Sequence, residues 1–264
     1  MKDIATVMAV AGEDAYFEFA RYSIPSFLRN NKSVDLFVFT DDRPRIEQLQ
    51  GLHTGRLRIV SLNGCFKMWS WMVKRLEQAG LSDEEMTTRT EKYGFLHHHV
   101  FVSALLPIAE YYLHGLGDYT HILKVDCDAY FAGGDMMTSV REDVHKAEGY
   151  DLFLVKRKHP LMESYGGGKP GVGFTLWKMG SNFIPEYVKR FQTTEQVTIL
   201  QLYGKNIVKT KILSRPGYHF VRPFWKSANL TKNMLEEFLP AYFHLHGIHA
   251  KENLKKLEDW FGNA

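Results

Sequence analysis

The segment HILKVDCDAYF, residues 121–131, breaks an apolar run with Asp126, Cys127 and Asp128 before returning to apolar residues. In an extended segment, alternation directs Asp126 and Asp128 to the same side of the chain. Two carboxylates so placed repel, and desolvating either without a partner is costly. Three arrangements would relieve them. They could cap backbone amides in water at the end of a strand. They could form a phosphoryl-transfer pair, one the nucleophile and the other the acid. Or they could share a divalent cation with a diphosphate, since hard oxygen ligands suit Mn²⁺ or Mg²⁺.

Other residues carry chemistry at a distance. Asp41 and Asp42 close the apolar run VDLFVFTDD, and Glu195-Gln196 open the helical pattern TEQVTILQLYGKN. In an extended YFHLHGI, Tyr242, His244 and His246 share a face, and a neutral imidazole there could complete a cation's shell. Two tempting patterns are rejected. GGGKPG matches a dinucleotide-binding glycine loop by letter, but Pro170 lies inside it and a strand rather than a helix is expected to follow. His97, His98 and His99 cannot converge on one ion from a helix, where consecutive side chains diverge. Of the five tryptophans, Trp177 and Trp225 are the best placed for an acceptor cleft.

The elements that must position these residues read as buried strands alternating with helices. IATVMAVAG is a strand ending at Gly12, followed by the helix DAYFEFARYSIPSFLRN. VDLFVFTDD, LRIVSL, THILKVDCDAYF and YDLFLVKRK are further strands; YGGGKPGVGFTLWK turns into another. Residues 64–80 and 93–115 read as helices, the latter despite Pro107. Such alternation predicts an α/β fold with a mostly parallel sheet flanked by helices. Ligands of these sheets bind beyond the carboxyl ends of the strands, where Gly12, Asp41 and Asp126 all fall.

Composition narrows the function classes. A chain of 264 residues, 45% hydrophobic, can bury a large core as one domain or two fused halves. Lys and Arg total 33 against 30 for Asp and Glu, without a basic block, so nucleic acid is not an expected partner. Cys65 and Cys127 lack metal or disulfide spacing. No stretch approaches the roughly 20 apolar residues of a transmembrane segment, and the start reads as a first strand rather than a signal peptide, so a soluble cytoplasmic protein is expected.

HILKVDCDAYF resembles the vlYLDcDtlv run of GT-A fold glycosyltransferases, most of all the retaining group that includes glycogenin and bacterial lipopolysaccharide galactosyltransferases. The resemblance extends over most of the chain. That group's N-S/T-G-v turn is matched by PGVGFTLWK, its DQD-hLN helix by TEQVTILQL, and its H-x-x-G-x-x-K-P-W ending by His244-Leu-His-Gly247-Ile-His-Ala-Lys251. This chain departs in several places. Glu195-Gln196 replaces Asp-Gln, and the Asn of the glycine turn is missing. Lys251 lies one residue late without Pro-Trp after it, and the Arg of the helix before the D-x-D has no counterpart.

The resemblance implies a Rossmann-like, nucleotide-sugar-binding half over 1–130 fused to an acceptor-binding and closing half over 131–264, together a single GT-A domain. It implies a metal-dependent hexosyl transfer from a nucleoside diphosphate sugar to a hydroxyl of a glycan, lipid or small molecule, with retention. Asp126, Asp128 and His244 are then the Mn²⁺ (or Mg²⁺) ligands, with metal affinity expected to fall as pH drops through about 6.5. Val10, Ala11, Tyr16 and Asp41 (or Asp42) would line the nucleotide with Asp126, and Lys251 would meet its phosphates. Glu195 or Gln196 would face the anomeric carbon, with His246 and His249 as phosphate or structural neighbours. Two alternatives remain from the residues themselves. One is a non-catalytic nucleotide-sugar or glycan-binding protein on the same fold. The other is a haloacid-dehalogenase-like phosphatase using Asp126 and Asp128, though its D-x-D-x-T/V pattern has Thr or Val where Tyr130 stands.

Overall fold

The computed structural model describes residues 3–49, 55–62, 96–156, 170–191, 194–215, 217–218, 220–221, 231–245 and 250–262. The chain runs β1 (Ile4–Val10), α1 (Asp14–Asn30), β2 (Asp35–Thr40), α2 (Arg43–Glu47), β3 (Leu57–Ser61), α3 (Leu96–Leu116), β4 (His121–Val125), β5 (Ala129–Ala132) and α4 (Met136–Lys146). It continues with β6 (Leu152–Lys156), β7 (Pro170–Lys178), α5 (Phe183–Arg190), α6 (Glu195–Gly204), β8 (Thr210–Leu213), β9 (Phe220–Val221), α7 (Lys232–Glu236), β10 (Ala241–His244) and α8 (Ala250–Phe261).

Seven strands form the main sheet in the order β3-β2-β1-β4-β7-β6-β8, in which β7 alone runs against its neighbours. The expected mostly parallel α/β sheet is what forms. Its cause lies in strands such as IATVMAV, buried along their whole length, which need cover on both faces. Along β1, Ile4, Met8 and Val10 pack toward α1 and α4, while Ala5, Val7 and Ala9 pack toward α3, α5 and α6. A second sheet, β5-β10-β9, buries its own apolar face under α8 through Leu254, Leu257 and Phe261.

Pro107 does interrupt the hydrogen bonding of α3, but the helix continues through it. Proline has no N–H to offer the carbonyl four residues earlier. That carbonyl, Ser103 O, instead accepts the Tyr187 hydroxyl of α5 at 3.0 Å. The exchange pins α3 against the element that precedes α6, and so helps place Glu195. The predicted helix over 64–80 lies outside the described residues.

Candidate active site

The segment THILKVDCDAYF, expected as one strand, is divided by the acidic pair into two. β4 stops at Val125, and Asp126, Cys127 and Asp128 form the turn by which the chain leaves the main sheet and enters the small one as β5. There β10 pairs antiparallel with β5, setting His244 opposite Ala129, and the Leu245 N–H donates to Asp128 O at 2.9 Å. The register therefore delivers an imidazole to two carboxylates from a strand more than a hundred residues away. His244 Nε2 lies 2.9 Å from Asp126 Oδ2 and 3.0 Å from Asp128 Oδ1. One ligand atom from each of the three residues lies within 4.8 Å of the others.

Sequence reasoning passed over the residue that does most to stabilise Asp126. Lys124 is buried in β4; its ammonium meets Asp126 Oδ1 and lies 3.2 Å from Glu195 Oε2. A buried lysine inside an apolar strand requires anionic partners, and that was the available signal. Burial disfavours the charged form of each group, but the opposing charges prevail for three of them. Asp126 is held far below the usual carboxylate range by Lys124 and His244. Lys124 is raised by Asp126 and Glu195. Asp128 and Asp126 outweigh the burial of His244 and raise it to about 9. Glu195 goes the other way: burial pushes it up to about 7 despite Lys124.

Glu195 opens α6, where Thr194 caps the helix by accepting the Val197 N–H at 3.2 Å and the Glu195 N–H donates to Ser103 Oγ at 3.1 Å. Its carboxylate is turned inward, and Oε1 is buried with no hydrogen-bond partner among the described residues. Gln196, one position on, is exposed. Successive helical side chains diverge, so only the first of the two reaches the Lys124 cluster.

Gly173 is the second residue that sequence reasoning passed over. A Cβ there would lie 2.5 Å from His244 Cε1 and Nδ1 and 2.7 Å from Asp126 Oδ2. The absent side chain lets β7 pass directly beside the cluster. The Gly173 carbonyl also accepts the Tyr242 hydroxyl at 2.8 Å, whose oxygen accepts the Asp126 N–H at 3.3 Å.

Of the residues expected to line a nucleotide, Val10, Ala11 and Asp41 lie at the carboxyl ends of β1 and β2. Val10 and Ala11 are fully buried. Gly12 takes a positive φ of 87°, and its N–H donates to Asp41 Oδ2 at 3.0 Å, while Asp41 Oδ1 is buried without a hydrogen-bond partner among the described residues. Asp42 has a different task, capping α2 by accepting the Arg45 N–H at 3.1 Å. Tyr16 is buried in the first turn of α1; burial, then the charges of Cys127, Glu13, Asp128 and Asp126, raise its hydroxyl above the ordinary tyrosine range. Lys251, in the first turn of α8, pairs with Glu18 of α1 at 3.0 Å and is largely exposed. His246, His249 and Trp225 lie outside the described residues. Trp177 is no sugar platform: it is fully buried under α3, its Nε1–H donating to Glu110 Oε2 at 2.7 Å.

No protein-family profile matches the chain, and no curated protein does. Solved structures do. Mouse xyloside xylosyltransferase 1, in its apo form, superposes with a TM-score of 0.58 at 11% identity, covering 92% of this chain and 97% of that one. An active-site mutant of LgtC superposes with a TM-score of 0.55 at 13% identity, covering 97% of this chain and 96% of that one. The apo glycosyltransferase GlyE of Streptococcus pneumoniae TIGR4 gives 0.55 at 14% identity, covering 98% of this chain and 61% of that one. At such identities the likeness is one of architecture: this chain has the GT-A glycosyltransferase fold.

Proposed function

We propose that this protein is a metal-dependent glycosyltransferase that moves a sugar from a nucleoside diphosphate sugar to a hydroxyl acceptor, with retention of configuration. The observation that carries the reading is the convergence of Asp126, Asp128 and His244, from two sheets, at the carboxyl edge of the parallel strands. Two carboxylate oxygens and an imidazole nitrogen suit Mn²⁺ or Mg²⁺. Gly173 keeps that corner free of a side chain. A bound cation would supply Lewis-acid stabilisation of the departing diphosphate.

The chain's own residues do the rest. Val10, Ala11 and the Gly12–Asp41 corner line the nucleoside, with Asp41 Oδ1 turned to base or ribose, and Tyr16 closes the wall beside the acidic turn. Lys251 meets the diphosphate. Its exposed pair with Glu18 is worth at most about 1 kcal/mol, so releasing the ammonium to a phosphate costs little. Glu195, rather than Gln196, presents its Oε1 to the sugar as a stabiliser of developing positive charge at the anomeric carbon. Residues 1–130 then serve the donor, and 131–264 bring the acceptor side and His244.

The phosphatase alternative fares poorly on geometry. A nucleophilic aspartate needs an uncommitted oxygen, and Lys124 and His244 engage both oxygens of Asp126. The test is a panel of nucleotide sugars scored for thermal stabilisation and for slow hydrolysis, each with Mn²⁺ and with chelator. One donor should both stabilise and turn over, only with metal. A donor that stabilises without ever turning over, with or without an acceptor panel, would make this a binding protein instead.

A further inference from the structure

Among the described residues Lys124 is the one lysine buried from water. It is the penultimate residue of β4, opposite Val7 of β1 on one side and Thr175 of β7 on the other. Nothing in the sheet requires a cation at this position; Ile122, two residues earlier on the same face, is a plain core residue. What Lys124 does have is one oxygen from each of two acids on different elements, Asp126 Oδ1 from the β4–β5 turn and Glu195 Oε2 from α6. The second oxygen of Asp126 faces His244, and the second oxygen of Glu195 has no hydrogen-bond partner among the described residues. Lys124 thus anchors one oxygen of each acid and links the β4–β5 turn to α6.

We propose that Lys124 is a charge-balancing positioning residue: its ammonium ties Asp126 to Glu195 and makes the site hold a divalent cation less tightly than its three ligands otherwise would. The proposal rests on the metal reading of Asp126, Asp128 and His244. It assigns the weak grip to the protein itself, so that firm binding awaits the negative charge of the donor's diphosphate. A unit positive charge at ion-pair distance from a ligand carboxylate opposes an incoming cation directly.

The test uses Mn²⁺ alone, titrated into the metal-stripped protein and followed by the electron paramagnetic resonance of free Mn²⁺. Lys124→Met should bind Mn²⁺ about tenfold or more tightly than wild type. Lys124→Met/Glu195→Gln removes one positive and one negative charge together, and should return to within about threefold of wild type. Damage to the fold cannot produce tighter binding, so the single variant separates charge balance from mere scaffolding. Unchanged or weaker binding in Lys124→Met overturns the proposal, as does a double variant outside the threefold range. If Lys124→Met does not fold, Lys124→Gln, which keeps hydrogen-bond donors for both acids without the charge, takes its place with the same expected tightening. A wild-type protein that binds no Mn²⁺ at all refutes the metal reading and this proposal with it. Misbehaving variants of a Mn²⁺-binding wild type refute this proposal alone.

Discussion

Replacing Gly173 with alanine probes the packing of the site with a single methyl group. The added carbon would lie 2.5 Å from two atoms of the His244 ring and 2.7 Å from Asp126 Oδ2. Neither neighbour is a loose end: His244 is fixed by two carboxylates at 2.9 and 3.0 Å, and Asp126 by Lys124 as well. Overpacking of this kind costs about 1–3 kcal/mol. Weakening a charge-assisted hydrogen bond adds part of a further ~1.5–3 kcal/mol. A loss of about 2–4 kcal/mol follows, or roughly 5–15 °C in melting temperature for a chain of this size. Because the imidazole must move off the carboxylates, Mn²⁺ affinity should fall about tenfold or more. Gly115→Ala is the control, since a Cβ there meets nothing within 4 Å and alanine favours the helix. Chemical denaturation and Mn²⁺ titration of both variants decide the matter. A Gly173→Ala protein that melts and binds Mn²⁺ like wild type would refute the claim that glycine is required for β7 to pass the cluster.

Four further outcomes are expected. The metal-free protein should lose stability as pH rises: folding lifts the His244 pKa from 6.5 to about 9, so its contribution is complete below about 6.5 and disappears by about 9. The loss is at most about 3 kcal/mol, read from urea titrations in chelator, and His244→Gln should abolish it. The same shift moves the proton competing with Mn²⁺ upward, so metal affinity should keep rising to about pH 9 instead of levelling near 6.5. Lys251→Ala should weaken donor binding about tenfold while leaving the affinity for Mn²⁺ alone within about twofold, measured by calorimetry, because the role proposed for the lysine is to meet phosphate. Finally, proton NMR of the first-formed product should show the donor's anomeric configuration retained; an inverted anomer would call for a carboxylate base on the acceptor hydroxyl instead.

The sequence made strands such as IATVMAV legible because they are apolar and buried along their length, and parallel strands buried on both faces must read that way. It also made the acidic turn legible, because adjacent carboxylates after such a run demand an explanation. His244 could be singled out by its spacing from Gly247, but its meeting with Asp126 and Asp128 depends on the β5–β10 register, which no local pattern encodes. Lys124 was hidden for a related reason. Within HILKV it looks like an interruption of a strand, and its meaning comes only from Glu195, seventy-one residues later in the chain. Gly173 matters through a side chain that is not there. Trp177 misled because an aromatic beside a glycine-rich turn can serve either a cleft or a core, and the cover of α3 settles which.

The proposed chemistry needs a cation held by Asp126, Asp128 and His244 with the donor's diphosphate beside it. Anomalous diffraction at the manganese edge, from crystals grown with Mn²⁺ and a nucleoside diphosphate, examines that directly. One strong peak should lie at roughly 2.0–2.4 Å from a carboxylate oxygen of Asp126, one of Asp128 and a ring nitrogen of His244, with phosphate oxygens completing the shell. A diphosphate bound at the ends of β1 and β2 with no manganese at these three residues would contradict it.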